Sequence, residues 1–242
     1  GLNSLIEDLE KFDHYAIDLE TTGLNTFTCE IVGWAIAYGT KSFYIPVRHQ
    51  GIRQLDPNLV QEKLKAILED SSKLQIIQNA KFEQKIFKHL GIKIHHNFFD
   101  TMLASYIDNP SNKHGLKIQS KRIFGLRMTE YETLTGTGRK QITIDQAPLD
   151  KVAAYAAADA YITLKLYDHY SSKLDSREVK LIREIEFPLV EVLRDIELAG
   201  ISLDVEFLRE LSIDIRKKIN ITEQEIYKST GEEFNISSPK QL

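Results

Sequence analysis

The chain has 242 residues, 42% hydrophobic and 27% charged, with a net charge of −4. This composition excludes disordered, collagen-like and low-complexity classes. It is too acidic for a generic nucleic-acid coat, but not for an enzyme that handles nucleic acid through metal-holding carboxylates. A single cysteine, Cys29, leaves no internal disulfide and fits a reducing compartment. No apolar run approaches the roughly 20 residues of a membrane span, and no leader-like segment opens the chain, so a cytoplasmic protein with no membrane partner is expected.

In chain order, Tyr15 to Leu19 reads as a short buried strand. Ile31 to Tyr38 and Ser42 to Val47 are β-branched and aromatic runs on either side of Gly39-Thr40, the pattern of a hairpin. Asp56-Pro57 offers an N-cap and a first-turn proline to a helix carrying Leu59, Val60, Leu64, Ile67 and Leu68. Leu74 to Gln78 is a further compact strand, and Lys81 to Leu90 a helix closed by Gly91. Asp100 is placed to cap a helix from Thr101 to Ile107, which stops before Asn109-Pro110. Ser111 to Gln146 is the most polar stretch and contains a basic loop, Gly136-Thr137-Gly138-Arg139-Lys140. Asp150 opens a long alanine-rich helix to about Ser171. Early strands followed by alternating helices and strands predict an α/β domain, a mixed sheet flanked by helices, over 1–175. From 176 to 242 the pattern is helical only. Glu178 to Ala199 is interrupted at Phe187-Pro188, Gly200 is a stop, and Asp204 caps a helix ending near Gly231. The polar end at Ser237-Ser238-Pro239 reads as unfinished, so a fragment is expected.

Asp-x-Glu recurs, at Asp8/Glu10, Asp18/Glu20 and Asp195/Glu197 among other places, so the bare pattern says little. Asp8/Glu10 and Asp195/Glu197 lie in helical stretches, where i and i+2 do not face each other. Asp18 and Glu20 end a buried strand, where both carboxylates point to one face about 6.5 to 7 Å apart and repel unless a cation lies between them. Two readings stay open: a metal pair, or a carboxylate that caps the Thr21-Thr22-Gly23 turn. Tyr155 is the only tyrosine with an acid, Asp159, four positions on. On a helix the pair shares a face, about 6 Å apart along the axis. The alanines between them make a helix thin enough to bring Asp159 against the strand of Asp18 and Glu20; an exposed i,i+4 pair is the other reading. Gln78 ends a strand and Asn79 suits an N-cap. Glu83 lies in the first helical turn, where an acid is commonly a helix-dipole partner.

Taken in order, YAIDLETTGL, IIQNAKFE, FFDTMLASYIDNP with KHGL just after, and YAAADAYITLKLY resemble the motifs of the DEDD-type 3′–5′ exonucleases in the variant with Tyr in the third motif. The match goes further than that superfamily: these motifs look like those of the proofreading exonuclease domain of the bacterial DNA polymerase I family. FPLVEVLRDIELAGISLDVEFL and GEEFNISSPKQL resemble the start of that family's thumb, so the resemblance covers essentially the whole chain. It implies a ribonuclease-H-like exonuclease fold over 1–175, followed by a helical appendage, the truncated start of the thumb, over 176–242. It implies Asp18, Glu20 and Asp159 as metal ligands and Tyr155 as the group orienting the attacking water. It also places Leu24 and Phe82 against the terminal bases, and Gln78 and Asn79 at the 3′-terminal nucleotide. The family's second motif ends in Asp; here Glu83 aligns with it and supports a metal as the fourth carboxylate, one methylene further out.

The implied chemistry is two-metal hydrolysis, with Mg²⁺ or Mn²⁺ suited to all-oxygen ligands. It would release nucleoside 5′-monophosphates from single-stranded 3′ ends of DNA, in the bacterial cytoplasm at the nucleoid. The polymerase palm and fingers would be partners supplied by a longer protein, and this segment alone should not synthesise DNA. Lys113, Lys117, Lys121, Arg122, Arg139 and Lys140 are candidates for backbone phosphate contacts, with a solvated basic face as the alternative. Two rivals stand beside this reading. One is a weakened or inactive exonuclease domain kept as a structural or DNA-binding module. The other is a free-standing RNA-trimming exonuclease.

Overall fold

A computed structural model describes residues 1–241, which form two compact units, Gly1–Leu198 and the segment from Ala199 onward. The first unit is built on a five-stranded sheet: β1 (His14–Thr21), β2 (Ile31–Tyr38), β3 (Lys41–Pro46), β4 (Leu74–Ile77) and β5 (Phe98–Asp100). The strand order is β3-β2-β1-β4-β5. The β1–β2 and β2–β3 pairs are antiparallel; β1–β4 and β4–β5 are parallel. This is the mixed sheet expected. Gly39, at φ 54°, takes the left-handed conformation that lets β2 turn into β3.

The two faces of the sheet are sorted by side-chain size. One face carries Tyr15, Ile17 and Leu19 of β1 with Trp34, Ile36 and Tyr38 of β2, all buried. Here lie α1 (Leu2–Leu9), α2 (Pro57–Leu68) and α3 (Ala80–His89), with the Trp34 and Phe87 rings stacked 6.1 Å apart. The other face is lined by small residues: Ala16 pairs with Ala37, Asp18 with Ala35, and Glu20 with Gly33. Against it lies the long α7 (Leu149–Lys173), whose Ala156 and Ala160 pack on Ala16, Ala35 and Ala37. Alanine meeting alanine lets the helix backbone approach the sheet closely, and that approach positions Asp159. Gly33 is fixed by the same crowding: a Cβ there would come within 2.2 Å of the Tyr44 ring.

Asp56 caps α2 as expected, accepting from the N–H groups of Asn58 and Leu59, with Pro57 at the first position. Asp100 caps α4 (Thr101–Asp108). Asn79, by contrast, does not cap α3: it sits at φ 72° and its side chain makes no cap bond. The cap comes instead from Asp100, which accepts from Asn79 N at 3.2 Å and Ala80 N at 2.7 Å. One buried carboxylate thus closes the starts of two helices. The polar stretch 111–146 contains α5 (Leu116–Phe124) and α6 (Tyr131–Thr135), which its composition concealed.

The helical region after 175 begins with α8 (Ser176–Leu181), capped by Asp175 through a capping box. A π-turn over Ile182–Glu186 leads into α9 (Phe187–Ala199). Pro188 has no N–H to donate back along the helix, and the widened turn immediately precedes it. Phe187 packs on Phe98 and Phe99 of β5, with ring centroids 4.9 and 5.6 Å away. α9 also grips α3: Lys81 and Lys85 pair with Glu197, Lys88 with Asp195, and the buried Arg194 donates to Gln84. In the second unit, Asp204 caps α10 (Val205–Thr230), which ends at Gly231, φ 79°, as its sequence requires. No described helix is long and apolar enough to cross a membrane.

Candidate active site

Asp18 and Glu20 lie near the end of β1 on the α7 face, and a β-bulge interrupts the β1–β2 register directly after Glu20. Such an irregularity re-aims side chains where a ladder ends. From the facing helix, Asp159 reaches the same spot. One carboxylate oxygen from each of Asp18, Glu20 and Asp159 lies within 4.8 Å of the other two. The structure therefore unites the two carboxylate motifs that spacing alone left open to a metal or a local reading. Tyr155, one turn before Asp159, is half-buried beside them, and its Oη accepts a hydrogen bond from Lys117 Nζ at 2.9 Å.

The electrostatics are those of anions held together out of water. Burial, followed by the charges of Glu20, Asp159 and Glu83, pushes Asp18 well above the usual carboxylate range. Burial and then Asp159 push Glu20 up to about 8. Asp159 is raised to about 6 by burial, opposed by the nearby Lys117 ammonium and the Tyr155 hydroxyl. Asp159 Oδ1 is buried with no hydrogen-bond partner among the described residues. A buried, unpartnered acceptor beside like charges is costly unless a cation completes it. The donors are all oxygen, so the trio suits a hard divalent cation.

Glu83, in the first turn of α3, is 4% exposed and stands outside the trio. Its Oε2 also lacks a partner. Burial raises it, its own backbone N–H opposes this, and Asp100 and Glu20 add to the rise. A fourth carboxylate is therefore buried on α3, outside the trio.

Beside Glu20 opens a groove of about 680 Å³, lined by Leu24, Phe82, Tyr131, Ile142 and Thr143 among others. Leu24 is 89% exposed at its lip. Leu24 and Phe82 thus line the same groove. Gln78 and Asn79 do not line the groove. The Gln78 amide donates to His114 O at 2.9 Å and accepts from Thr101 Oγ1 at 2.6 Å and Gln119 Nε2 at 3.3 Å, so it faces an internal network. Asn79 is committed through its backbone to Asp100. Of the basic candidates, Arg122 bonds Ser105 and Tyr170, while Lys113, Lys121, Arg139 and Lys140 are exposed. Tyr131, Ile142 and Thr143 were not singled out by the sequence; their one signal is an aromatic and β-branched residues flanking the basic loop.

A family model described as 3′–5′ exonuclease matches residues 1–175. The chain belongs to the 3′–5′ exonuclease family. DNA polymerase I of Pseudomonas aeruginosa is 33% identical over 252 residues, covering 100% of this chain and 28% of that relative. The exonuclease chain therefore spans little more than a quarter of the length of such relatives. Among solved structures, the POL domain of Pol1 from M. smegmatis, in complex with DNA primer-template and dNTP, superposes at a TM-score of 0.72 with 19% identity, covering 100% of this chain and 38% of that one. NrnC of Brucella melitensis with bound Mg²⁺ superposes at 0.60 with 22% identity, over 80% of this chain and 89% of that one. The first unit has the ribonuclease-H-like exonuclease fold, and the helical extension follows it.

Proposed function

We propose that this chain is the proofreading segment of a bacterial DNA polymerase I, hydrolysing DNA one nucleotide at a time from a single-stranded 3′ end. The observation that carries this is the convergence of Asp18, Glu20 and Asp159 within 4.8 Å, with Tyr155 one turn away on the same helix. The three carboxylates would hold divalent ions, with Mg²⁺ the physiological choice, and Glu83 would support one of them. When bound, such ions supply charge neutralisation at the scissile phosphate and acidify the attacking water. Tyr155, one turn before Asp159 on α7, would hold that water through Oη. Leu24 and Phe82 supply apolar and aromatic surface for a splayed terminal base, which favours an unpaired end. The products are nucleoside 5′-monophosphates, and the site of action is the nucleoid.

A 5′-labelled single-stranded oligodeoxyribonucleotide tests this reading. Mg²⁺ should yield a ladder shortening from the 3′ end, a chelator should abolish it, and RNA of the same sequence should be degraded much more slowly. RNA cleaved as fast as DNA would favour an RNA-trimming enzyme. No cleavage with either Mg²⁺ or Mn²⁺ would leave a structural module.

Glu83 stands outside the trio and carries one methylene more than the Asp of the family motif, which favours a weakened second metal. A reacting group misplaced by about 1 Å can cost about 10²-fold in rate. Glu83→Asp, which shortens the side chain, should raise the Mg²⁺-supported rate several-fold, and Glu83→Ala should lower it. Mn²⁺ should stimulate the parent more than it stimulates the Asp variant. An Asp variant slower than the parent would show that the site has adapted around the longer acid.

A further inference from the structure

Lys117 is the second residue of α5, just after Gly115, and its side chain is half-buried. Sequence placed it among possible phosphate contacts, but the fold turns it into the carboxylate site. Its Nζ donates to Tyr155 Oη at 2.9 Å and lies 4.2 Å from the centre of the phenol ring. The contact is with the phenol and not with a carboxylate, so the oxygens of the trio are left available. Its charge nonetheless opposes the upward push on Asp18, Glu20 and Asp159 alike.

Two consequences follow from elementary chemistry. An ammonium donating into Oη uses a lone pair of that oxygen, so the hydroxyl proton must point away from Lys117. Lys117 therefore decides which way Tyr155 presents its proton and its remaining lone pair. A fixed unit of positive charge at this distance also repels any divalent ion entering the trio, in proportion to the product of the charges.

We propose that Lys117 is a resident cation of the site: it positions Tyr155 through Oη, and its charge competes with divalent ions entering the trio. This deepens the exonuclease reading and rests on it, since the trio must be the metal site.

The test titrates Mn²⁺ alone into the chain by calorimetry, in parallel with single-turnover cleavage at saturating Mn²⁺. Lys117→Met and Lys117→Gln should bind Mn²⁺ about threefold more tightly or better, because a repelling charge is gone. The same variants should cleave about tenfold more slowly or worse, because the water-orienting hydroxyl is no longer directed. Lys117→Arg, which keeps the charge, should bind Mn²⁺ like the parent. A lysine with only a packing role would lower the melting temperature without tightening metal binding. Unchanged or weaker Mn²⁺ affinity in a folded Met or Gln variant overturns the proposal. The double variant Asp18→Ala, Glu20→Ala separates the two levels of the argument. If it binds Mn²⁺ as the parent does, the trio is not the metal site and the exonuclease reading fails. If it loses Mn²⁺ while the Lys117 variants titrate like the parent, only the role of Lys117 fails.

Discussion

Replacing Asp18 and Glu20 together with alanine should abolish divalent-metal binding and lower cleavage by about 10³-fold or more. Metal ions contribute several kcal/mol of transition-state stabilisation, and each 1.36 kcal/mol is a factor of ten. The fold should survive, because β1 is anchored by Tyr15, Ile17 and Leu19 on its opposite face and by ladders to β2 and β4. Without metal the double variant should in fact melt at the same temperature as the parent or higher. The sign follows from the direction of the shifts. Glu20 is raised by folding to about 8 and Asp18 is raised well above its ordinary value, so the folded state holds protons that the unfolded chain has released. Their stabilising protonation is complete below the ordinary carboxylate range and is lost as pH rises toward about 8. In chelator, the parent should therefore fall progressively behind the double variant between about pH 4.5 and 8. Melting curves across that range, with calorimetric Mg²⁺ titration, check both halves. Retained Mg²⁺-dependent cleavage would remove this site from consideration.

Tyr155→Phe removes a single oxygen from the site. Losing a group that positions a proton-transferring water costs about 10²-fold or more, so the single-turnover rate should fall by that much. Substrate affinity should barely change, because the ring still packs against the alanine-rich core between α7 and the sheet. The split between rate and binding is the informative part. An unchanged rate would make Tyr155 a packing residue whose hydroxyl serves only to satisfy Lys117.

The parts of this molecule legible in the sequence are those set by local chemistry. The Asp56-Pro57 start, the Gly39 turn, the Asp100 cap and the Asp204–Gly231 helix all follow from residue types with one strong conformational preference. The trio was legible for a related reason: strand periodicity puts Asp18 and Glu20 on one face, and Ala156 and Ala160 signal a helix that lies close. What stayed hidden depends on partners remote in sequence. Asn79 looks like a cap, yet Asp100, 21 residues away, takes that role and frees Asn79 for a left-handed turn. The family resemblance places Gln78 at the 3′-terminal nucleotide, while its internal bonds to Thr101 and Gln119 follow only from the fold. Lys117 reads as one more surface cation until α5 is folded against α7. The helices inside 111–146 were concealed because their apolar residues are few and interrupted.

The grip of α9 on α3 gives the site two halves of different character. Asp18, Glu20 and Asp159 belong to a hydrogen-bonded sheet and the helix packed on it, which dissolved salt barely perturbs. Phe82 and Glu83 ride on a helix whose outer edge is tethered by charge, through lysines at 81, 85 and 88 reaching acids more than a hundred residues later. Exposed pairs of this kind weaken as ionic strength rises. A polypeptide cut after residue 175 would keep the trio and the groove but lose every one of those tethers. The fourth carboxylate is thus hostage to a helix that lies outside the span matched by the family.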